Sequence, residues 1–415
     1  MVTLPKPNVF CFVLGHLQNF KLLVNSERLS VISATVGLVA VVTLYLLPSP
    51  IDPKPYVFNC SIPRLEGSLR PNSHLQRVTR LFEGQIVGPE SFAVDKDGTI
   101  YTGSADGKIW AFKKNNLRLV ARTGIDHPDC GSFTLEPDCG RPKGMKVDQD
   151  GFLVVADAYK GLLRVNVTTG DIETLMPGHI GIDGKPFRFL NGLDIRSDGI
   201  IYFTDSSTKW DRRNYKFEVI EMNNLGRLIA YNPSTRAART VLDGLYLANG
   251  ISLSADESFM AIAEMSLVRI RRFYLNGPKQ GETDILIDNL PGYPDNIKLN
   301  SQGHFYVGLG SVRFEGASVL GSFLDIIAPY PALKRLITKV TPLAFYDIFL
   351  PKHSLLLEVN SQGHIIASHH DPGSKVVPAI SEGFEANGQV YIGHFRIPFI
   401  GEISVDDLNM DGEMQ

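Results

Sequence analysis

The chain has 415 residues, enough for one large domain plus appendages, and its 44% hydrophobic and 20% charged residues allow a filled core and exclude global disorder. A formal net charge of −3 lacks the basic surplus of a nucleic-acid binder, and four cysteines exclude a disulfide-dense scaffold or a Cys-rich zinc module. Thirty-eight glycines suit many short strands joined by turns better than a helical bundle.

Leu29 to Ile51 carry no formal charge. Roughly 20 apolar residues at 1.5 Å each cross the hydrocarbon core of a bilayer. A buried soluble helix of this length would show a polar stripe. A cleavable signal peptide would lie nearer the start and end at a small-x-small site, which Leu46-Leu47-Pro48-Ser49-Pro50-Ile51 does not offer. We therefore expect a cytoplasmic segment (1–28), a transmembrane signal-anchor (29–51) and a linker (52–74). Lys6, Lys21 and Arg28 precede the span, whereas Lys54 and Arg64, partly offset by Asp52, follow it. That small bias places the N-terminus in the cytosol and the rest lumenal or extracellular, at the endoplasmic reticulum or plasma membrane. Two acceptor sequons, at Asn59 and Asn166, agree with glycosylation on that side. Cys130 and Cys139 enclose a short loop and are expected to form a disulfide; Cys60 has no evident partner, and Cys11 lies across the membrane.

After residue 80 one pattern recurs: a glycine turn, a short β-branched and aromatic strand, then a small or acidic residue. It begins at Gly98, Gly151, Gly199, Ser258, Gly303 and Gly388, with spacings of 53, 48, 59, 45 and 85 residues. The last gap holds an apolar insertion, 313–352. A period of about 45–55 residues built from short strands of period two, rather than amphipathic helices, predicts an all-β fold: a six-bladed β-propeller over 75–405. The strand around Gln76 to Phe82 is expected to close the ring against the last blade, leaving a loose acidic tail (406–415). The insertion reads as a packed surface hairpin, a lid over one end of the ring, or a second contact with the membrane.

Before each pattern lies a second one, expected to be the innermost strand of its blade. At corresponding positions stand Glu90, Asn191, Asn249, Asp295 and Asn296, so ring closure would bring these side chains to the axis. Carboxylate and amide oxygens without sulfur select a hard cation, with Ca²⁺ favoured by its six to eight ligands. The competing reading, that Asn191-Gly192 and Asn249-Gly250 are hairpin turns, would leave almost no strand before the next turn signal. A calcium ion can polarise an ester or lactone carbonyl, and Asp295 could activate a water. No Gly-x-Ser-x-Gly elbow is present. His369-His370, beside the turn Asp371-Pro372-Gly373, reads as the edge of an outer strand.

Several segments carry a family resemblance: Leu81-Phe-Glu-Gly-Gln-Ile-Val-Gly-Pro-Glu-Ser91, Val155-Ala-Asp-Ala-Tyr-Lys-Gly-Leu162, Tyr202-Phe-Thr-Asp-Ser-Ser207 and Leu290-Pro-Gly-Tyr-Pro-Asp-Asn296. The chain resembles the strictosidine synthase-like propellers over nearly its whole length after residue 48. The resemblance implies a type II single-pass glycoprotein with arylesterase-like activity. In the related paraoxonases and gluconolactonases, residues that look like Glu90, Asn191, Asn249, Asp295 and Asn296 hold Ca²⁺. Where paraoxonases place a functional histidine in the second blade, this chain has Lys143, which could act as a base or block that mechanism. At the acid/base glutamate of the alkaloid-forming enzymes stands Ser381, with Glu382 one residue off, so amine–aldehyde condensation is not expected. The expectation is a membrane-anchored, Ca²⁺-dependent hydrolase of aryl esters or lactones, with Asp295 and Lys143 catalytic. The alternative is a non-catalytic surface binding or adhesion glycoprotein whose channel ion is structural.

Overall fold

A computed structural model describes residues 10–317 and 319–410. Six four-stranded antiparallel sheets form the six blades of a β-propeller. The six recurring patterns are the second strands: Ile100–Gly103, Leu153–Asp157, Ile201–Asp205, Phe259–Glu264, Phe305–Val312 and Gln389–Gly393. Their turn glycines take positive φ, for example 78° at Gly98 and 83° at Gly199; in the fourth repeat, which has no glycine, Glu257 adopts φ 53° instead. Period two is weaker than expected in these strands. Leu153–Asp157, Ile201–Asp205 and Phe259–Glu264 are buried at every position, because a neighbouring blade covers each face. The ring closes as the sequence suggested: Thr79–Leu81 pairs antiparallel with Ile400–Ser404 as the outer strand of blade six.

The N-terminal helix spans Phe10–Leu46, and its stretch Arg28–Leu46 is long and apolar enough to cross a membrane. It stops short of the expected Ile51 because Pro48 disfavours helical backbone before it. Ile51 instead packs in the hydrophobic core with Ile220, Leu324 and Ile327. Residues 52–74, expected as a linker, are strapped along the ring. Glu221 Oε1 accepts from the Asp52 amide at 2.5 Å, the Tyr56 amide donates to Ala328 O at 3.0 Å, and Ser368 Oγ donates to Ser68 O at 2.6 Å. The expected loose tail is also tied down as far as residue 410. Val405–Asn409 is a short helix, Ser404 Oγ caps the Asp407 amide, and Leu408 is fully buried.

Two excursions stand above the ring. Blade three inserts the helix Tyr215–Glu221 after its second strand. Blade five inserts the helices Val319–Ile327 and Pro331–Val340 and the 3₁₀ helix Leu343–Phe349 between its second and third strands. Cys130 and Cys139 form a disulfide, and Cys60 is free and exposed.

Candidate functional site

Four innermost strands share one irregularity. In each, three steps oppose two on the partner strand: between Pro142 and Met145, Leu190 and Leu193, Ala248 and Ile251, and Pro294 and Ile297. These β-bulges fall on Lys143-Gly144, Asn191-Gly192, Asn249-Gly250 and Asp295-Asn296, and re-aim those side chains. Asn-Gly here is therefore bulge chemistry within a strand rather than a hairpin turn. The glycines make room for the next blade. A methyl group at Gly192 would lie 2.5 Å from Asn249 O, and one at Gly250 would lie 2.4 Å from Asn296 Cα. Neighbouring innermost strands thus touch backbone to backbone.

That contact gathers residues separated by two hundred positions. Lys143 Nζ donates to Glu90 Oε1, with both side chains almost wholly buried. Asn296 Nδ2 donates to Glu90 O at 3.4 Å, and the Asn296 amide donates to Ser381 O at 2.9 Å. Burial, then the Glu90 charge, pushes the Asp295 carboxyl up to about 7, while Lys143, Ser381 and Asn249 favour its ionised form. Burial lowers the Lys143 pKa, against the pull of Glu90 and Asp295. Asn191 Nδ2 donates to Ser206 Oγ at 3.1 Å. Three buried oxygens, Glu90 Oε2, Asn191 Oδ1 and Asn249 Oδ1, have no hydrogen-bond partner. Such orphans require an explanation. They are all hard acceptors, so this donor set fits a Ca²⁺ ion. It contains only two carboxylates, and among the described residues no group of three or more His, Cys, Asp and Glu could hold a metal.

An apolar cavity of about 330 Å³ lies above this site, walled by the blade-three helix (Tyr215, Val219), the blade-five insertion (Leu324, Tyr346) and the blade-six loop (Phe395, Arg396). None of the five proposed oxygen donors lines it. Met265 and Gly310 lie between: a methyl at Gly310 would come 3.2 Å from Asp295 Oδ2 and 3.4 Å from Met265 Cε. Gly310, a residue without a side chain, thus stands between Asp295 and the cavity. At the rim, Asp347 Oδ1 joins Lys216 Nζ at 2.7 Å and Arg396 Nη1 at 2.9 Å, tying the blade-five insertion to the blade-three helix and the blade-six loop.

Sequence reasoning missed several groups here. His394 lines the cavity; burial, then Arg396 and Lys143, lower its pKa to about 3, so it is neutral. Its Nδ1 accepts from the Arg396 amide at 3.2 Å, which leaves the proton on Nε2 as a donor. His394 closes the sixth repeat, so the repeat itself could have pointed to it. Glu136, Arg212 and Arg141 were also unread. Arg212 forks onto Glu136, and Arg141 lies 3.8 Å from Glu90 with its pKa lowered to about 10 by burial and by Arg212. Glu382 does not line the cavity: it accepts from Ser91 Oγ at 2.8 Å and the Phe92 amide at 2.7 Å, which binds blade six to blade one. His369 and His370 are buried beneath the ring-closing segment, where His369 Nδ1 meets His74 Nδ1 at 3.1 Å. Asn59 is exposed; Asn166 is half-buried, its Oδ1 accepting from the Thr168 amide.

The fold and this site define a six-bladed propeller with a polar axial site beneath an apolar cavity. The strictosidine synthase pattern matches residues 191–278, and the strictosidine synthase-like N-terminal pattern matches 67–112. The chain is 41% identical to the adipocyte plasma membrane-associated protein of Bos taurus, over 86% of this chain and 85% of that protein. It is 35% identical to the protein strictosidine synthase-like 10 of Arabidopsis thaliana, over 76% and 84% respectively. The chain belongs to the strictosidine synthase-like family. Among solved structures it resembles a gluconolactonase from Xanthomonas campestris (TM-score 0.54, 13% identity, 86% of this chain and 99% of that one). It also resembles the calcium-binding regucalcin of Agrobacterium tumefaciens (TM-score 0.51, 11% identity, 78% and 92%). These last two likenesses speak to fold alone.

Proposed function

We propose that the protein is a membrane-anchored, calcium-dependent hydrolase of aryl esters or lactones. The observation that carries this reading is three buried oxygens without a hydrogen-bond partner, Glu90 Oε2, Asn191 Oδ1 and Asn249 Oδ1, near an apolar cavity from which Asp295 is separated by Gly310. Glu90, Asn191, Asn249, Asp295 and Asn296 would hold the ion, which supplies Lewis-acid polarisation of a carbonyl when bound. The cavity wall excludes water from the ester's apolar part. His394 Nε2–H donates a hydrogen bond to the oxygen that gains negative charge. The Asp295 carboxylate takes a proton from the attacking water. Lys143 holds Glu90 in place and is a positioning residue in this scheme, not the base the sequence allowed. The solved-structure likenesses to a gluconolactonase and to regucalcin accord with the reading, and a type II orientation with Asn59 and Asn166 glycosylated is part of the proposal.

One observation favours the second reading, a surface binding glycoprotein whose channel ion is structural: the Lys143 ammonium already offsets the Glu90 charge. Phenyl acetate turnover by the purified full-length chain, with and without EGTA, separates the two. Activity lost on chelation while far-UV circular dichroism is unchanged supports the hydrolase. Calcium that raises the Tm without any turnover supports the binder.

A further inference from the structure

The helix Pro331–Val340 is built inside out. Its lysines turn inward or are partly covered, and its arginine is paired: Lys334 is 1% exposed and donates to Lys54 O at 3.3 Å, Lys339 is half-buried, and Arg335 makes a surface ion pair with Asp52 at 2.5 Å. Its exposed face is apolar instead, with Leu333, Leu336 and Val340 at spacings of three and four along one side. The following 3₁₀ helix repeats this. Phe345 and Ile348, three apart and so on one edge, are 46% and 73% exposed, while Tyr346 turns into the cavity wall. Half of the large exposed apolar side chains beyond residue 50 fall between 326 and 350. Soluble surfaces rarely concentrate apolar area in this way.

The position of the patch indicates what covers it. Lys339 Nζ donates to Leu44 O at 3.0 Å and Tyr45 O at 3.1 Å, the carbonyls of the last turn of the apolar N-terminal helix. The C-terminal end of the inverted helix therefore lies level with the point where that helix ends. Tyr45, 80% exposed, is the residue type that marks a membrane–water boundary. The cations of the helix are engaged with protein groups, Lys334 with Lys54 O, Arg335 with Asp52 and Lys339 with the end of the span, which leaves the apolar face outermost beside it.

We propose that residues 326–350 form a second membrane-contact surface, seated in the same lipid leaflet from which the N-terminal helix emerges. An amphipathic helix lying in the interface, apolar face down, is a stable arrangement there. The 3₁₀ helix has the patch on one side and the cavity wall on the other, so docking brings the cavity rim to the leaflet surface.

The test uses the full chain in phosphatidylcholine vesicles, with Cys11 and Cys60 replaced by serine and a bimane label on one introduced cysteine. Leu336→Cys and Ile348→Cys probe the patch, and Ile285→Cys on the outer strand of blade four is the control. Brominated lipid is expected to quench both patch labels about threefold more strongly than the control, with aqueous iodide showing the reverse order. Two patch sites keep the result readable if one variant misfolds. Equal iodide access at all three sites overturns the proposal. So does exclusion of both quenchers together with excimer formation between pyrene-labelled chains, which would assign the patch to a second copy of the protein.

Discussion

The channel and the blade-five insertion both bury a lysine, for opposite reasons. In the channel, Lys143 faces Glu90 and Asp295; Lys143 and Asp295 each sit on the bulge of an innermost strand, and Glu90 lies just before the innermost strand of blade one. In the insertion, Lys334 has one long bond to a carbonyl, Lys54 O, and the more distant field of Glu221; burial lowers its pKa to about 8. The first arrangement assembles a charged site. The second moves charge off a surface. Burying an ammonium costs free energy unless it is paired. Apolar exposure on Pro331–Val340 therefore makes sense where the surroundings are themselves apolar.

This comparison can be broken most sharply in the channel. Glu90→Gln leaves the Lys143 ammonium buried without its partner, and is expected to cost about 3–5 kcal/mol. Calorimetry should read that as a fall in Tm of roughly 5 °C or more, and calcium should no longer raise the Tm. Adding Lys143→Met to Glu90→Gln should recover most of the loss. An unchanged Tm in the single variant would mean that the pair is not buried in solution.

In the insertion the sign reverses. Lys334→Met removes a weakly paired charge at nearly constant volume and is expected to stabilise by about 1 kcal/mol. A destabilised Lys334→Met chain would show that the lysine is held by a partner as firmly as Lys143 is.

A pH-dependent effect of similar size sharpens the comparison at the blade-three helix between the two regions. Burial pushes the Glu218 carboxyl up to about 8, against the Ser207 hydrogen bond and with the help of Glu221, and its Oε1 has no partner. The folded chain thus holds this proton through neutral pH, whereas the unfolded chain releases it near 4.5. Stability must fall as pH rises from about 4.5 to about 8 and level off above, with about 1.4 kcal/mol of the fall between pH 7 and 9, or about 2 °C. Glu218→Gln should abolish that part of the decline in a pH series of thermal melts.

Much of the ring was legible because its signals are local. Turn glycines such as Gly98 and Gly199, and apolar runs such as Leu153–Asp157, repeat at one period, and each repeat can only bury both faces against its neighbours. The equivalence of Asn191 and Asn249 was legible for the same reason: both fall on the same bulge of equivalent strands. The insertion was not. Its helix shows a clear apolar side, but a sequence does not tell which side faces in. The span was read five residues too long at its C-terminal end because composition alone ignores the turn that Pro48 imposes. Ile51 looked like membrane and is propeller core.

By itself, then, the order of residues determined the number of blades and the apolar helix, both of which follow from short-range periodicity and turn chemistry. Only the tertiary structure decided that Lys143 meets Glu90, that Gly310 stands between Asp295 and a cavity, that His394 lines that cavity, and that residues 326–350 turn their apolar side outward. Those facts depend on which segments ring closure and the strap at 52–74 bring into contact, and contact between distant segments is a property of packing, not of local sequence.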